Sequence, residues 1–137
     1  MTQTLRHIGW ILLFISCKTS PTKTLSIANL DTTVKATKIS ISELAKNYKT
    51  YQGQYIETTG QFYQGFEEFA LYTPKPFFGD RKGFWLESDM TLVYDSLFFA
   101  NANGRKVTIK GIVDTMSKGH LSMYLATIRR IYFWENH

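Results

Sequence analysis

Residues 53–60 read GQYIETTG and residues 104–111 read GRKVTIKG, so two glycines spaced seven positions apart occur twice in the chain. The first glycine of each pair suits a tight turn, and the second falls inside the alternating segment that follows. Glycine inside a strand marks a sharp bend, because a bent strand crowds any Cβ on its concave face. The repeat therefore predicts two strongly bent strands, as in a small barrel.

The segments around this repeat predict five strands and two short helices. Apolar and polar residues alternate over 55–63, which predicts the first strand, with Ile56 on one face and Tyr55 on the other. A short helix that ends before Gly53 is predicted, with either Ser40 or Ser42 as its cap. The other predicted elements are a turn at Gln64-Gly65, strands at 66–72, 83–87, 106–114 and 121–134, a Pro- and Gly-containing loop at 73–82, and a short helix within 90–99.

This order of elements, with a bend glycine in the first and fourth strands, resembles the OB-fold, a five-stranded Greek-key barrel. Residues 41–60 are similar to the start of OB-fold domains in bacterial envelope proteins, where a capped helix leads into a Y-x-G-x-x-[IV]-x-x-x-G strand. Residues 105–131 resemble the return half. The resemblance implies a mainly β, five-stranded OB-fold-like barrel with an N-terminal helix and a short helix between strands 3 and 4.

The first sixteen residues have the features of a signal peptide. Residues 8–15 (IGWILLFI) form an apolar run, far shorter than the roughly 20 residues needed to span a bilayer. The following residues 14–17 (FISC) resemble the lipobox of bacterial lipoproteins, which implies lipid attachment at Cys17 after cleavage. Cys17 is the only cysteine in the chain, so it forms no internal disulfide. The alternative is a free thiol behind an uncleaved hydrophobic start.

These features divide the 137-residue chain into three regions. We expect a signal peptide at 1–16, a lipidated cysteine with a flexible tether at 17–37, and an OB-fold-like domain at 38–137, with some order in the tether around 25–30. Cleavage removes Arg6 and no acidic residue, which lowers the formal charge from +5 to +4. Lys18 stands where inner-membrane lipoproteins of enteric bacteria have Asp, so the resemblance favours the outer membrane, on its periplasmic side or at the surface.

The sequence has no set of residues at the spacing of a catalytic or metal site. None of His7, His120 and His137 has a second His or Cys at ligand spacing. Glu67 and Glu68 are neighbours on a predicted strand and should point to opposite faces. Phosphate-binding glycine loops and serine nucleophile elbows are absent as well. We expect no enzymatic activity, no metal and no cofactor.

A binding face is the more plausible functional feature. OB-folds bind ligands over strands 2 and 3 and over the loops between strands 1 and 2 and between strands 4 and 5. Aromatic and cationic side chains concentrate there and could stack on bases or sugars. Because side chains alternate between the two faces of a strand, some of the aromatic residues point into the barrel interior. Trp85 points outward if Phe84 and Leu86 point inward. The candidate residues are Tyr63, Phe66, Tyr72, Lys75, Arg81, Lys82, Trp85 and His120, with Phe69 and Lys118 nearby.

Two functions fit this sequence. The first is a membrane-anchored envelope module that binds or scaffolds a protein, peptide or glycan. The second is a domain that binds single-stranded nucleic acid, which the fold and the pI of about 9.3 suggest. Export from the cytoplasm disfavours nucleic acid as the ligand. The cationic residues are also spread along the chain rather than clustered. A third function, that of an enzyme inhibitor or immunity-type lipoprotein, has the same sequence features as the first.

Overall fold

The computed structural model describes residues 24–26, 34–75, 80–87 and 96–137. The predicted signal peptide, Cys17 and most of the predicted tether lie outside these ranges. Short 3-10 segments occupy Tyr48–Tyr51 and His120–Ser122. The strands are β1 (Thr24–Ser26), β2 (Thr37–Lys38), β3 (Tyr55–Gly65), β4 (Glu68–Tyr72), β5 (Gly83–Leu86), β6 (Lys106–Asp114) and β7 (Thr127–Asn136), and the helices are α1 (Ile41–Asn47) and α2 (Ser96–Ala102).

Five of these strands close into a barrel in the order β3–β4–β5–β7–β6, with β6 returning to β3. Neighbouring strands are antiparallel except β5 and β7, which pair in parallel through Trp85 with Thr127 and Leu86 with Ile128. Helix α1 precedes the first barrel strand, and α2 lies between the third and the fourth. The prediction of a mainly β, five-stranded OB-fold-like barrel with these two helices is confirmed.

The bend glycines have the role that the repeat predicts. A Cβ on Gly60 would lie 2.9 Å from the carbonyl oxygen of Tyr72, and one on Gly111 would lie 2.9 Å from that of Arg129. The register between β6 and β7 shifts at Gly111, where β7 carries extra residues around Arg130. The turn glycines Gly53 and Gly104 have φ values of 70° and 75°, a region that favours glycine.

Three element boundaries differ from the prediction. The β3–β4 turn is Phe66–Glu67 rather than Gln64-Gly65, because Gly65 still pairs with Glu68 and Glu67 takes the left-handed conformation, with φ of 56°. The last strand begins at Thr127 rather than at residue 121. Leu121 has a left-handed φ of 50°, which an extended strand excludes. The helix predicted within 90–99 ends at Ala102, and its part at 90–95 lies outside the described residues.

The barrel interior is filled by the inward side chains of every barrel strand and by both helices. The Ser40 hydroxyl accepts a hydrogen bond from the Glu43 backbone N–H, which caps α1 and directs Ile41 and Leu44 inward. From α2, the Phe99 ring packs 5.0 Å from that of Trp134 between ring centroids. The core residues from the strands include Ile56, Phe62, Leu71, Phe84, Leu86, Val107, Ile109, Val113, Ile128, Ile131 and Trp134.

One short strand, β1, lies within the predicted tether, and a second, β2, spans the predicted boundary between the tether and the domain. Strand β1 pairs antiparallel with the end of β7, with Thr24 opposite Glu135, and β2 pairs in parallel with β3, with Thr37 opposite Ile56. The chain ahead of the predicted domain boundary at residue 38 therefore contributes to the sheet at two points. None of the helices within the described ranges is long and apolar enough to cross a membrane.

Candidate functional site

The outer surface of β3, β4 and β5 carries a row of aromatic rings. Phe84 and Leu86 are buried in the core, so Trp85 points outward, as the alternation predicts. Ala70 pairs with both Tyr63 and Trp85 and is fully buried between them. Its small side chain allows the larger neighbours to cover this part of the sheet. We name Tyr63, Tyr72, Trp85 and Tyr124 the aromatic face.

A cation lies over one half of the aromatic face. The Arg81 guanidinium carbon is 4.5 Å from the centroid of the Tyr63 ring and 5.1 Å from that of Tyr72. Its Nη1 donates a hydrogen bond of 3.3 Å to Oε1 of Gln61. Cation–π contacts of this geometry contribute about 0.5–1 kcal/mol each when exposed to solvent. Arg81 is therefore held close to both tyrosine rings.

Tyr72 links the aromatic face to a carboxylate. Its hydroxyl donates a hydrogen bond of 2.7 Å to Oε1 of Glu68, four residues earlier on the same face of β4. Burial raises the pKa of the Tyr72 hydroxyl well above its usual range, and the hydrogen bond to Glu68 raises the pKa further. Tyr72 therefore remains a neutral donor at every physiological pH.

The β6–β7 loop, residues 115–126, folds across the other half of the aromatic face. Gly119 has a φ of 64° and lies directly against the Trp85 ring, where a Cβ would overlap the indole. The Tyr124 ring packs 5.3 Å from the Trp85 ring and 6.3 Å from the Tyr72 ring. Trp85 is therefore half-buried beneath the loop rather than free on the surface.

Exposed apolar side chains lie on the β3–β4 turn and on the β6–β7 loop. The exposed fractions are 93% for Phe66, 75% for Leu121 and 76% for Met123. His120 and Glu67 join the two segments, since Nε2 of the histidine is 3.1 Å from Oε2 of the glutamate. We name Phe66, Leu121 and Met123 the apolar rim. Met116, the other large apolar residue that is exposed in the described chain, lies at the opposite end of the loop.

The backbone of the β6–β7 loop is strained at Leu121 and the residue after it. Leu121 and Ser122 have φ values of 50° and 58°, a region that non-glycine residues seldom adopt. Each such residue costs on the order of 1 kcal/mol or more. Burial of apolar surface does not offset this cost at Leu121, because its side chain is exposed to solvent. Strain of this kind without a packing benefit is typical of binding sites.

A shallow cleft of about 360 Å³ lies beside Trp85. Three carboxylates line it, from Glu67, Glu68 and Glu87. Glu68 accepts the Tyr72 hydrogen bond and Glu67 contacts His120, so both are held in place. The aromatic face therefore has acidic groups on one side and Arg81 on the other.

The structure brings most of the predicted binding residues together. Tyr63, Tyr72, Arg81 and Trp85 share one surface, with Phe66 and His120 at its edge. Lys82 directly precedes β5 and is exposed. Lys75 lies elsewhere and lines a second cleft, between α1 and β3. Phe69, considered with the outward aromatic residues, points into the core, where its ring packs 5.0 Å from Phe62.

Sequence reasoning missed Tyr124 and the loop residues Leu121 and Met123, because it placed all three in the last strand. That predicted strand, 121–134, is more than twice the usual strand length of about five or six residues. Its length was the signal that could have indicated a loop.

Groups of three or more potential metal ligands are absent from the described ranges. No protein-family model matches the chain, and no match was found among curated proteins or among solved structures. The likeness to the OB-fold therefore rests on strand order, pairing and bend glycines.

Proposed function

We propose that this protein is a non-enzymatic binding module of the bacterial cell envelope that engages a protein or peptide partner through the apolar rim and the adjoining aromatic face. The observation that carries the proposal is the position of the exposed apolar side chains. Phe66, Leu121 and Met123 lie on the two segments that His120 and Glu67 join. OB-folds use the corresponding loops to bind ligands.

The chemistry of this surface fits a protein partner. Aromatic residues, Met and Arg are enriched in protein interfaces, and exposed apolar groups with polar neighbours mark them on free proteins. Trp85 and Tyr124 supply rings of limited mobility, and Met123 supplies an adaptable side chain. Arg81 and the carboxylates supply polar contacts around the apolar centre.

A glycan is a second candidate, because aromatic rings beside carboxylates and an arginine also suit stacking on sugars. Single-stranded nucleic acid fits this surface less well. Glu67, Glu68 and Glu87 lie beside Trp85 and would repel phosphates, while binding to nucleic acid depends on phosphate neutralisation. Tight oligonucleotide binding by residues 38–137, with a steep salt dependence, would favour the nucleic-acid function over the envelope function.

The proposal includes the lipid anchor at Cys17. Pairing of Thr24 with Glu135 attaches the chain to the barrel only seven residues after Cys17. Seven residues reach at most about 25 Å. A lipid on Cys17 would therefore hold the barrel close to the membrane, rather than at the end of the twenty-residue tether expected from the sequence. Detergent phase partitioning tests the anchor: wild type should enter the detergent phase and Cys17→Ser should not, and equal partitioning contradicts lipidation.

The binding surface is tested by capture of envelope proteins on the immobilised mature chain. Trp85→Ala and Phe66→Ser should each lose a specific protein that the wild type captures, with far-ultraviolet circular dichroism unchanged. Met116→Ser is the matched control, because Met116 is also exposed but follows Thr115, whose backbone N–H donates to Gln52 ahead of β3, whereas Phe66 follows the other end of β3. Loss of the captured protein with Met116→Ser alone would contradict the proposed surface.

A further inference from the structure

A second cleft, of about 650 Å³, lies between α1 and the middle of β3, away from the apolar rim. Small-molecule sites commonly have volumes of about 300–1,000 Å³. Apolar groups from Ile39, Ile41 and Pro74 line the cleft, together with the stems of three lysines. The cleft is therefore large enough for a small molecule and has a mainly apolar wall with cationic groups.

The cleft lies over a gap in strand pairing. Along one edge of β3, β2 pairs as far as Glu57 and β4 pairs from Gln61 onward, so neither strand covers 58–60. Pro74 follows β4 at this point and has no N–H to continue the ladder. The gap leaves part of the β3 backbone next to the cleft.

The polar backbone groups of Thr59 point into this gap. Phe62 exchanges hydrogen bonds with Gly104 and Arg105 on the β6 side, whereas the Glu57 carbonyl accepts a bond from Ile39 on the opposite side. Successive residues of a strand direct their N–H and C=O groups to opposite edges. Thr59 therefore directs its N–H toward the cleft, where it can donate to a ligand.

Thr58 supplies a second unused group. It lines the cleft, the residue is 2% exposed, and its Oγ1 is buried with no hydrogen-bond partner among the described residues. A buried hydroxyl without a partner costs free energy relative to one that is bonded. A ligand oxygen that reached Thr58 would remove this cost.

The charges around the cleft favour an anion. Lys75 and Lys106 line it, and neither has a carboxylate within ion-pair distance in the described chain. The acidic residue of the lining, Glu57, is already paired with Lys110 at 3.0 Å and with Lys38 at 3.7 Å. The local balance is therefore positive, with two amines available to a ligand.

We propose that this cleft binds a small amphiphilic carboxylate, with the anionic group near Thr58, Thr59 and the two free lysines and the apolar body against Ile39, Ile41 and Pro74. The site is independent of the surface proposed for partner binding. Either can fail without affecting the other.

The test is isothermal titration calorimetry of the mature chain with decanoate. Two further probes are acetate, which retains only the charge, and decanol, which retains only the apolar body. Decanoate should bind at least about tenfold more tightly than either. The double variant Lys75→Gln/Lys106→Gln should weaken decanoate about tenfold. The control Lys46→Gln/Lys49→Gln makes the same change of charge outside the cleft and should retain wild-type affinity.

Thr58→Val keeps the side-chain shape and removes the hydroxyl. It should weaken decanoate severalfold while leaving the chain as stable as the wild type or more so, because the unpaired oxygen is gone. The proposal is overturned if decanoate does not bind, if decanol binds as tightly, or if the control pair of lysines weakens binding as much as the cleft pair.

Discussion

His120 Nε2 lies 3.1 Å from Glu67 Oε2, and this contact joins the β6–β7 loop to the β3–β4 turn. Each partner is next in sequence to a residue of the apolar rim, Leu121 in one segment and Phe66 in the other. The contact therefore sets the relative position of the rim side chains. It is accessible to solvent, and exposed pairs of this kind contribute only about 0–1 kcal/mol to stability.

His120→Ala should therefore affect binding more than folding. We expect the free energy of unfolding, measured with urea, to change by less than about 1 kcal/mol. Partner capture should fall severalfold, because the two halves of the rim are no longer held together. The single variant Glu67→Gln should behave the same way. A large loss of stability in either variant would show that the contact serves folding instead.

Leu121→Asn should weaken binding without lowering stability. Asparagine tolerates the left-handed conformation that strains leucine, so the free energy of unfolding should stay equal or rise by up to about 1 kcal/mol. Met116→Asn is the control, because Met116 is exposed without a positive φ, and its stability should change by less than about 0.5 kcal/mol. A marked destabilisation by Leu121→Asn would mean that the leucine supports the fold.

Replacing a bend glycine with alanine should lower the free energy of unfolding, and the loss should be larger where the new Cβ lies closer to its neighbours. Gly60→Ala and Gly111→Ala each place a Cβ 2.9 Å from a backbone oxygen, so each should destabilise the barrel by about 1–3 kcal/mol in urea unfolding. Gly65→Ala is the matched control in β3, since its Cβ would have no neighbour nearer than 3.7 Å. Equal stability of all three variants would contradict the role assigned to the bends.

Alkaline pH should destabilise the protein through Tyr72. Burial and the bond to Glu68 raise the pKa of its hydroxyl, so the folded state favours the protonated form. The resulting stability is fully present below the ordinary tyrosine pKa of about 10 and is lost as the pH rises toward the folded-state value. Urea unfolding at about pH 8 and pH 11 should show a smaller decline for Tyr72→Phe than for wild type. Some decline should persist, because burial also raises the pKa of Tyr132.

The fold was predictable because local and global signals agree. The glycine repeat, the alternation of Ile56, Thr58, Gly60 and Phe62, and the capping serine Ser40 each specify one element, and only a bent barrel satisfies them together. The β6–β7 loop was not predictable in the same way. Leu121 and Met123 flank polar Ser122, so their alternation imitates a strand, while tertiary contacts of Gly119 with Trp85 hold the segment as a loop.

The second cleft was also beyond sequence reasoning. It depends on where β2 ends beside Glu57 and where β4 ends beside Gln61, and a two-residue strand such as β2 carries no periodic signal. Lys75 was predicted for the binding face because it lies near the third barrel strand in sequence. The end of β4 at Tyr72 directs the following residues toward α1 instead.

Site-specific photocrosslinking tests most directly whether the apolar rim is a protein-binding surface. A photoreactive amino acid is placed at Leu121 in one sample and at Lys49, an exposed position outside the rim, in another, and each protein is irradiated with envelope extract. We expect a discrete crosslinked protein at position 121, absent at position 49 and reduced by Phe66→Ser. The same crosslinks at both positions, or none at position 121, would contradict this expectation.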